Sequence, residues 1–119
     1  MKPRIALIPG DPSGIGPELV AKLLAEPELS HDADILVIGD MHVLEMGQHQ
    51  AGIENIFKTV DPFRDEWLSV DSGSFAFHPT QTISINEVKI AEATQCSGAS
   101  ILNTLNLALD FAKDEIVDA

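Results

Sequence analysis

The sequence predicts an α/β fold built on a parallel sheet, and three observations predict it. Two short apolar runs, residues 5–8 (IALI) and residues 34–39 (DILVIG), have the length and character of buried strands. Each is followed by a turn and then by a stretch with helical apolar spacing. Strand and helix therefore alternate from the start of the chain, the pattern of a sheet covered by crossover helices.

Taken in order, the first strand, residues 5–8, ends at Pro9-Gly10. The loop that follows contains Gly10, Asp11, Pro12, Ser13, Gly14 and Gly16. Glycine allows positive φ or close approach of another group, and proline stiffens the turn. Pro17 suits the first position of a helix over residues 17–26, because its missing N–H needs no helical partner. Glu18 lies in the first turn, where the helix dipole favours a carboxylate, and stands four residues before Lys22. Leu19, Val20, Leu23 and Leu24 form the expected apolar stripe, and Pro27 stops the helix.

Residues 27–34 read as an acidic surface loop. The second strand, residues 34–39, is mostly β-branched. Asp40 is a good N-cap for a helix over residues 41–50 that Gly52 ends. Residues 56–60 are a third candidate strand, and residues 61–74 are irregular. Trp67 and Leu68 in that stretch are expected to pack onto the core. Short strands are expected at 74–77 and 82–85, and residues 86–92 are ambiguous. A long helix is expected over 97–114, capped by Thr94 or Ser97. Ile101, Leu105, Ala108, Leu109 and Ala112, widened by Leu102, Leu107 and Phe111, predict that it is heavily buried. Ile116-Val117 then points toward another strand.

The 119 residues, 45% of them hydrophobic, are enough for one domain with a modest core. A formal charge of −12 argues against a nucleic-acid or anionic-membrane partner. No apolar stretch approaches the length of a membrane span, and the run at 5–8 stops too soon for a secretory leader. The single cysteine, Cys96, forms no intrachain disulfide, which fits a reducing, cytoplasmic setting.

The loop at 10–18 opens a helix, so its N–H groups are a candidate anion or substrate-phosphate contact. It fails both familiar phosphate motifs. The dinucleotide fingerprint begun at Gly14 and Gly16 finds Leu19 in place of its third glycine. The P-loop pattern begun at Gly10 finds Ile15 and Gly16 where glycine and lysine belong. A tight strand-to-helix connection using glycine for geometry alone competes evenly with the anion reading. Asp11 either orients a substrate hydroxyl or caps the loop's own N–H groups, the second being the usual work of an Asp in a turn. Ser13 lacks the surroundings of a nucleophile elbow.

His42, Glu45 and His49 stand at i, i+3 and i+7, one face of a helix. A metal site there competes with a solvated polar face, and Gly47 in mid-helix favours the latter. His31 and His78 read as structural or exposed. Cys96 lies ahead of the long helix, where a thiolate would be favoured, but no partner base is near in sequence, so an inert thiol is expected.

Residues 10–18, GDPSGIGPE, closely resemble the N-terminal signature of the 4-hydroxythreonine-4-phosphate dehydrogenase family. In that family a strand leads into a G-[DE]-P-[AS]-G-I-G-P-[DE] loop and a helix. Residues 97–119, with Gly98, a Leu-rich helix and a Val-Asp-Ala ending, are a second match. The resemblance implies a three-layer α/β/α lobe like that of isocitrate and isopropylmalate dehydrogenases. It implies a homodimer of two-lobed subunits that uses NAD and a divalent metal (zinc, magnesium or cobalt) held by histidines. The chemistry it implies is oxidation and decarboxylation of a phosphorylated hydroxy acid. The candidate substrates are 4-phosphooxy-L-threonine, on the route to pyridoxal phosphate, and the 4-phosphates of threonate or erythronate.

Family members run well beyond twice this length. Residues 1–119 are then the N-terminal portion of a two-lobe dehydrogenase, one α/β unit without internal boundary and with its sheet incomplete at the C-terminus. The metal, nicotinamide and substrate-contacting residues of the family lie downstream of the equivalent of Ala119. None of the four histidines falls at a matching position, so no catalytic, cofactor-binding or metal residue is carried over. The loop Gly10, Asp11, Pro12, Ser13, Gly14, Gly16 and Glu18 is carried over as a cleft-shaping signature. The 119-residue chain alone is expected to be inactive. The alternative is a small non-catalytic α/β binding or regulatory module.

Overall fold

The computed structural model describes residues 2–64, 67, 68, 70, 73–89, 92 and 94–119. Four strands form one all-parallel sheet: β1 (Arg4–Leu7), β2 (Asp34–Gly39), β3 (Ile56–Thr59) and β4 (Ser74–Pro79), in the order β1-β2-β4-β3. The helices are α1 (Gly16–Leu24), the short α2 (Leu29–Asp32), α3 (Met41–Ala51) and the long α4 (Gln95–Lys113). Pairing sets Ile5 opposite Ile35, Leu36 opposite Ala76 and Phe57 opposite Phe75.

β2 is the centre of the molecule, and its side chains alternate between two cores. Ile35 and Val37 pack with Val20 and Leu24 of α1, Leu44 of α3, and Phe75 and Phe77 of β4. Leu36 and Ile38 pack on the other face with Trp67, Ala76, Phe111 of α4 and Val117. A strand covered on both faces reads as a continuous apolar run, which is why DILVIG shows no alternation. The result is the three-layer α/β/α arrangement, with α1 and α3 below the sheet and α4 above it.

α1 and α3 touch backbone to side chain. A Cβ on Gly47 would stand 2.2 Å from the Pro17 carbonyl oxygen, so glycine at mid-helix is what lets the two helices approach. On α1 the buried face is Pro17, Val20, Ala21 and Leu24, while Leu19 and Leu23 of the expected stripe are exposed.

Three expectations are corrected. Residues 82–85 are not a strand; bends there lead into a 3-10 turn at Ile85–Glu87. Their alternation arises because Ile83 alone is buried while Ile85 is 69% exposed. α2 replaces what reads as a plain loop. α4 forms as expected, beginning at Gln95 with Thr94 as its cap, and its second half packs on the core through Leu107, Ala108, Phe111 and Ala112 as expected, but its first half turns a different face inward. Ser97, Ser100, Thr104 and Phe111 are buried, whereas Leu102, Leu105 and Leu109 are exposed. Small polar side chains let the first half of α4 approach the segment after β4, where Ser100 Oγ meets Thr82 Oγ1 at 2.6 Å. The Thr104 hydroxyl is satisfied within the helix by the Ser100 carbonyl at 2.9 Å.

The end of the chain returns to its beginning. The Arg4 carbonyl accepts from the N–H of Asp118 at 2.7 Å and of Ala119 at 3.3 Å, and the Ala6 N–H donates to the Ala119 carbonyl at 2.8 Å.

Candidate functional site

In an open parallel sheet, ligands bind outside the carboxyl ends of adjacent strands whose following connections leave to opposite faces. β2 and β4 are such a pair. The connection from β2 enters α3 on one face, and that from β4 leads to α4 on the other. A groove of about 610 Å³ opens at this point, lined among others by His42, Thr80, Gln81, Ile83, Ile85 and Glu87.

Asp40, the first residue after β2, organises the groove wall. It occupies the N-cap position of α3, as expected, yet its side chain does not cap that helix. The carboxylate is 3% exposed and turns across to the segment after β4. It accepts from the Thr80 hydroxyl, the Thr82 N–H (2.9 and 3.0 Å), the Thr82 hydroxyl (3.0 Å) and the Ile83 N–H (2.9 Å). His42 Nε2 lies 3.6 Å from Asp40 Oδ2 and 2.8 Å from the Ile83 carbonyl oxygen. A buried carboxylate is tolerated because four donors replace its hydration. The Thr82 hydroxyl, donating to Asp40, accepts in turn from Ser100 of α4. One carboxylate thus joins the ends of both strands to both layers of helix.

The signature loop lies at the same end of the sheet. A Cβ on Gly39 would come within 3.2 Å of Pro9 Cδ, so the ends of β1 and β2 are in contact. Gly10 has φ +73°, a left-handed conformation that favours glycine. The Asp11 carboxylate accepts from the Ser13 N–H at 2.8 Å, and the Gly14 N–H donates to the Asp11 carbonyl at 3.0 Å. Asp11 therefore caps its own turn. Gly16 sits against the loop's entry: a Cβ there would lie 1.8 Å from the Pro9 carbonyl oxygen. Pro12, Ser13 and Pro17 are fully buried, the Ser13 hydroxyl without a hydrogen-bond partner. Glu18 pairs with Lys22 at 3.3 Å on the surface.

This loop does not fit a dinucleotide pyrophosphate. The space beside Gly16 is filled by the chain's own carbonyl, Pro17 offers no N–H, and Asp11 sets a negative charge at the turn. Nor do the described residues fit a divalent metal, since no group of three His, Cys, Asp or Glu side chains among them is placed to hold one. Glu45 and His49 are exposed on α3, while His42 is engaged with Ile83. His78 ends in a T-shaped contact with Phe111, ring centroids 5.4 Å apart; burial lowers its pKa, with Asp61 pulling the other way.

Cys96 stands in the first turn of α4, and its thiol donates to Glu87 Oε2 at 2.9 Å. That bond raises the thiol pKa, opposite to the dipole effect expected from its position, and holds Glu87 down at about 2. The thiol is thereby kept protonated.

Sequence reasoning read Asp40 only as a cap and did not single out Thr80, Thr82 or Ser100. The available signal was positional: a carboxylate directly after one buried strand, and Thr-Gln-Thr directly after another.

Fold and groove define one sheet unit of a doubly wound α/β protein whose ligand side is the carboxyl end of its strands. No family model matches the chain. A Pseudomonas aeruginosa protein whose name places it among the 4-hydroxythreonine-4-phosphate dehydrogenases is 36% identical over 117 residues, 98% of this chain and 34% of the relative. A Synechococcus protein named 4-hydroxythreonine-4-phosphate dehydrogenase is 57% identical over 44 residues, 37% of this chain and 13% of the relative. Relatives in Clostridium botulinum named for D-threonate 4-phosphate are 28% identical over 123 residues, 99% of this chain and 35% of their own length. The crystal structure of a 4-hydroxythreonine-4-phosphate dehydrogenase from Burkholderia phymatum superposes with a TM-score of 0.84 at 22% identity. It covers 98% of this chain and 34% of the crystallised one, and shows that the fold is shared. Over nearly its whole length the chain is similar to proteins named 4-hydroxythreonine-4-phosphate dehydrogenase, and it spans about a third of the length of the curated relatives it matches.

Proposed function

We propose that this chain forms one wall of the substrate cleft in an NAD- and divalent-metal-dependent dehydrogenase. The reaction oxidises the hydroxyl of a phosphorylated hydroxy acid and releases carbon dioxide from the resulting keto acid. The substrate is 4-phosphooxy-L-threonine or the 4-phosphate of threonate or erythronate, and the working form is a cytoplasmic homodimer. The observation that carries this reading is the match of 98% of the chain, at 36% identity, to a relative of that name. The groove at the β2 and β4 ends supports it, because that is where a cleft wall belongs in this fold. A nicotinamide would supply the hydride acceptor and a divalent metal a Lewis acid for such a reaction, and the described residues of this chain fit neither group. The residues for both are supplied by other parts of the protein. The role of this chain is to position: Asp40 fixes the groove wall, and Gly10 and Gly16 fix the loop beside it.

The test is a chimera in which this chain replaces the corresponding third of the Pseudomonas aeruginosa relative. NAD reduction with metal and 4-phosphooxy-L-threonine or phosphothreonate is expected from the chimera and not from residues 1–119 alone. A folded, dimeric chimera inactive on every one of these substrates would refute the reading and favour a non-catalytic module.

A further inference from the structure

We propose that the groove at the ends of β2 and β4 is a binding site for an uncharged purine nucleoside and turns away its phosphorylated forms. The site holds whichever reaction the cleft serves, and it places the phosphate of any phosphorylated substrate outside the groove.

Charge decides what the groove refuses. At strand ends of this kind a phosphate is commonly held by a helix N-terminus. Here the N-termini of α3 and α4 each carry a carboxylate of the chain itself. Asp40 occupies the N-cap position of α3 with its carboxylate buried, and Glu87 Oε2 accepts from the Cys96 thiol in the first turn of α4 at 2.9 Å. A helix N-terminus is equivalent to about half a positive charge, so a full carboxylate charge outweighs it. The bonds from Cys96 and Ser84 hold Glu87 at about 2, so it is ionised throughout the neutral range. Among the described residues that line the groove none is lysine or arginine; Lys89 acts on the Cys96 thiol but is not one of them. An entering phosphate meets two negative charges and no cation.

What the groove offers is uncharged. His42 Nε2 donates to the Ile83 carbonyl oxygen at 2.8 Å, so in the uncharged ring Nδ1 is an acceptor, and it has no partner among the described residues. The exposed Gln81 side chain is likewise without a partner among them, and its amide sets a donor beside an acceptor. That pair matches the amino group and ring nitrogen on one edge of adenine. Ile83 and Ile85 give apolar surface to a flat ring, Ile85 from the exposed rim. The volume of about 610 Å³ lies within the roughly 300–1,000 Å³ of small-molecule sites.

The experiment titrates the chain with adenosine, adenosine monophosphate and inorganic phosphate while the His42 ring and Ile85 methyl resonances are followed by NMR. Adenosine is expected to shift both signals saturably, with adenosine monophosphate binding about tenfold more weakly or worse and phosphate leaving both in place. Gln81→Ala, at an exposed position, is expected to weaken adenosine several-fold, and Glu87→Gln to narrow the preference for adenosine over its monophosphate. Absence of a saturable shift with adenosine at millimolar concentration overturns the proposal. So does a monophosphate that binds as tightly as adenosine, a shift of these signals by phosphate alone, or an adenosine affinity unchanged by Gln81→Ala. If the chain alone gives no dispersed methyl signals, the same titrations are made on the chimera with the Pseudomonas aeruginosa relative, and the same outcomes decide.

Discussion

The Asp40 carboxylate accepts a hydrogen bond at 2.9 Å from the backbone N–H of Ile83, a residue 43 positions later in the chain. Two neighbouring strands are tied at their carboxyl ends by this side chain, which also receives two threonine hydroxyls and a second N–H.

Asp40→Ala leaves those donors buried and unpaired, and is expected to cost about 3 kcal/mol of stability. Thr80→Val and Thr82→Val, each removing one donor, are expected to cost about 1 kcal/mol. Urea denaturation of the three variants gives the ranking; an Asp40→Ala midpoint equal to that of the native chain would contradict the assignment.

Glycine substitutions separate the two halves of the loop. Gly16→Ala drives a methyl group into the Pro9 carbonyl oxygen and is expected to destabilise by at least about 2 kcal/mol. Gly47→Ala meets the Pro17 carbonyl and is expected to destabilise, although the same change in a free helix would stabilise. Gly14→Ala, whose nearest neighbour would be 3.5 Å away, is expected to be tolerated, and Gly98→Ala, with open space around it, to gain about 0.5 to 1 kcal/mol. Melting temperatures of the four variants check the order.

The thiol of Cys96 is held protonated by Glu87. Glu87→Gln weakens the hydrogen bond that chiefly raises the thiol pKa and removes the charge that adds to it, so alkylation by iodoacetamide near pH 8 is expected to accelerate several-fold. An unchanged rate would show that the contact is absent in solution.

His78 links stability to pH. Burial lowers its pKa from the ordinary 6.5, so between that value and the folded one the unfolded chain binds more protons than the folded. Stability is therefore expected to fall as pH drops below about 6.5, and His78→Asn to flatten that part of the profile. Asp61 opposes the shift, so Asp61→Asn is expected to steepen it. Denaturation midpoints from pH 5 to 8 (about three units, spanning the ordinary histidine range) decide the sign.

The parallel α/β fold was legible from residues 5–8 and 34–39, because strands covered on both faces leave continuous apolar runs. Residues 10–18 were legible for identity, but their duty was not: whether glycine serves a ligand or a turn depends on what fills the space beside Gly16. The inward face of the first half of α4 was not legible either, although Leu107, Ala108, Phe111 and Ala112 of the second half were. Leu102, Leu105 and Leu109 recur at helical spacing on the side away from the sheet, and the contact with Thr82 that selects Ser100 instead is long-range. Asp40 looked like a cap because local spacing cannot reveal a partner that is 43 positions away.

The bonds between Arg4 and Asp118 join residues 114 positions apart. During synthesis β1 emerges well before these partners, and its outer rungs cannot close until α4 has crossed the sheet and residues 118 and 119 have emerged. At roughly 5–20 residues per second that interval lasts on the order of 10 seconds. Throughout it the nascent chain presents an open parallel edge, so chaperone dependence on the ribosome should concentrate on β1.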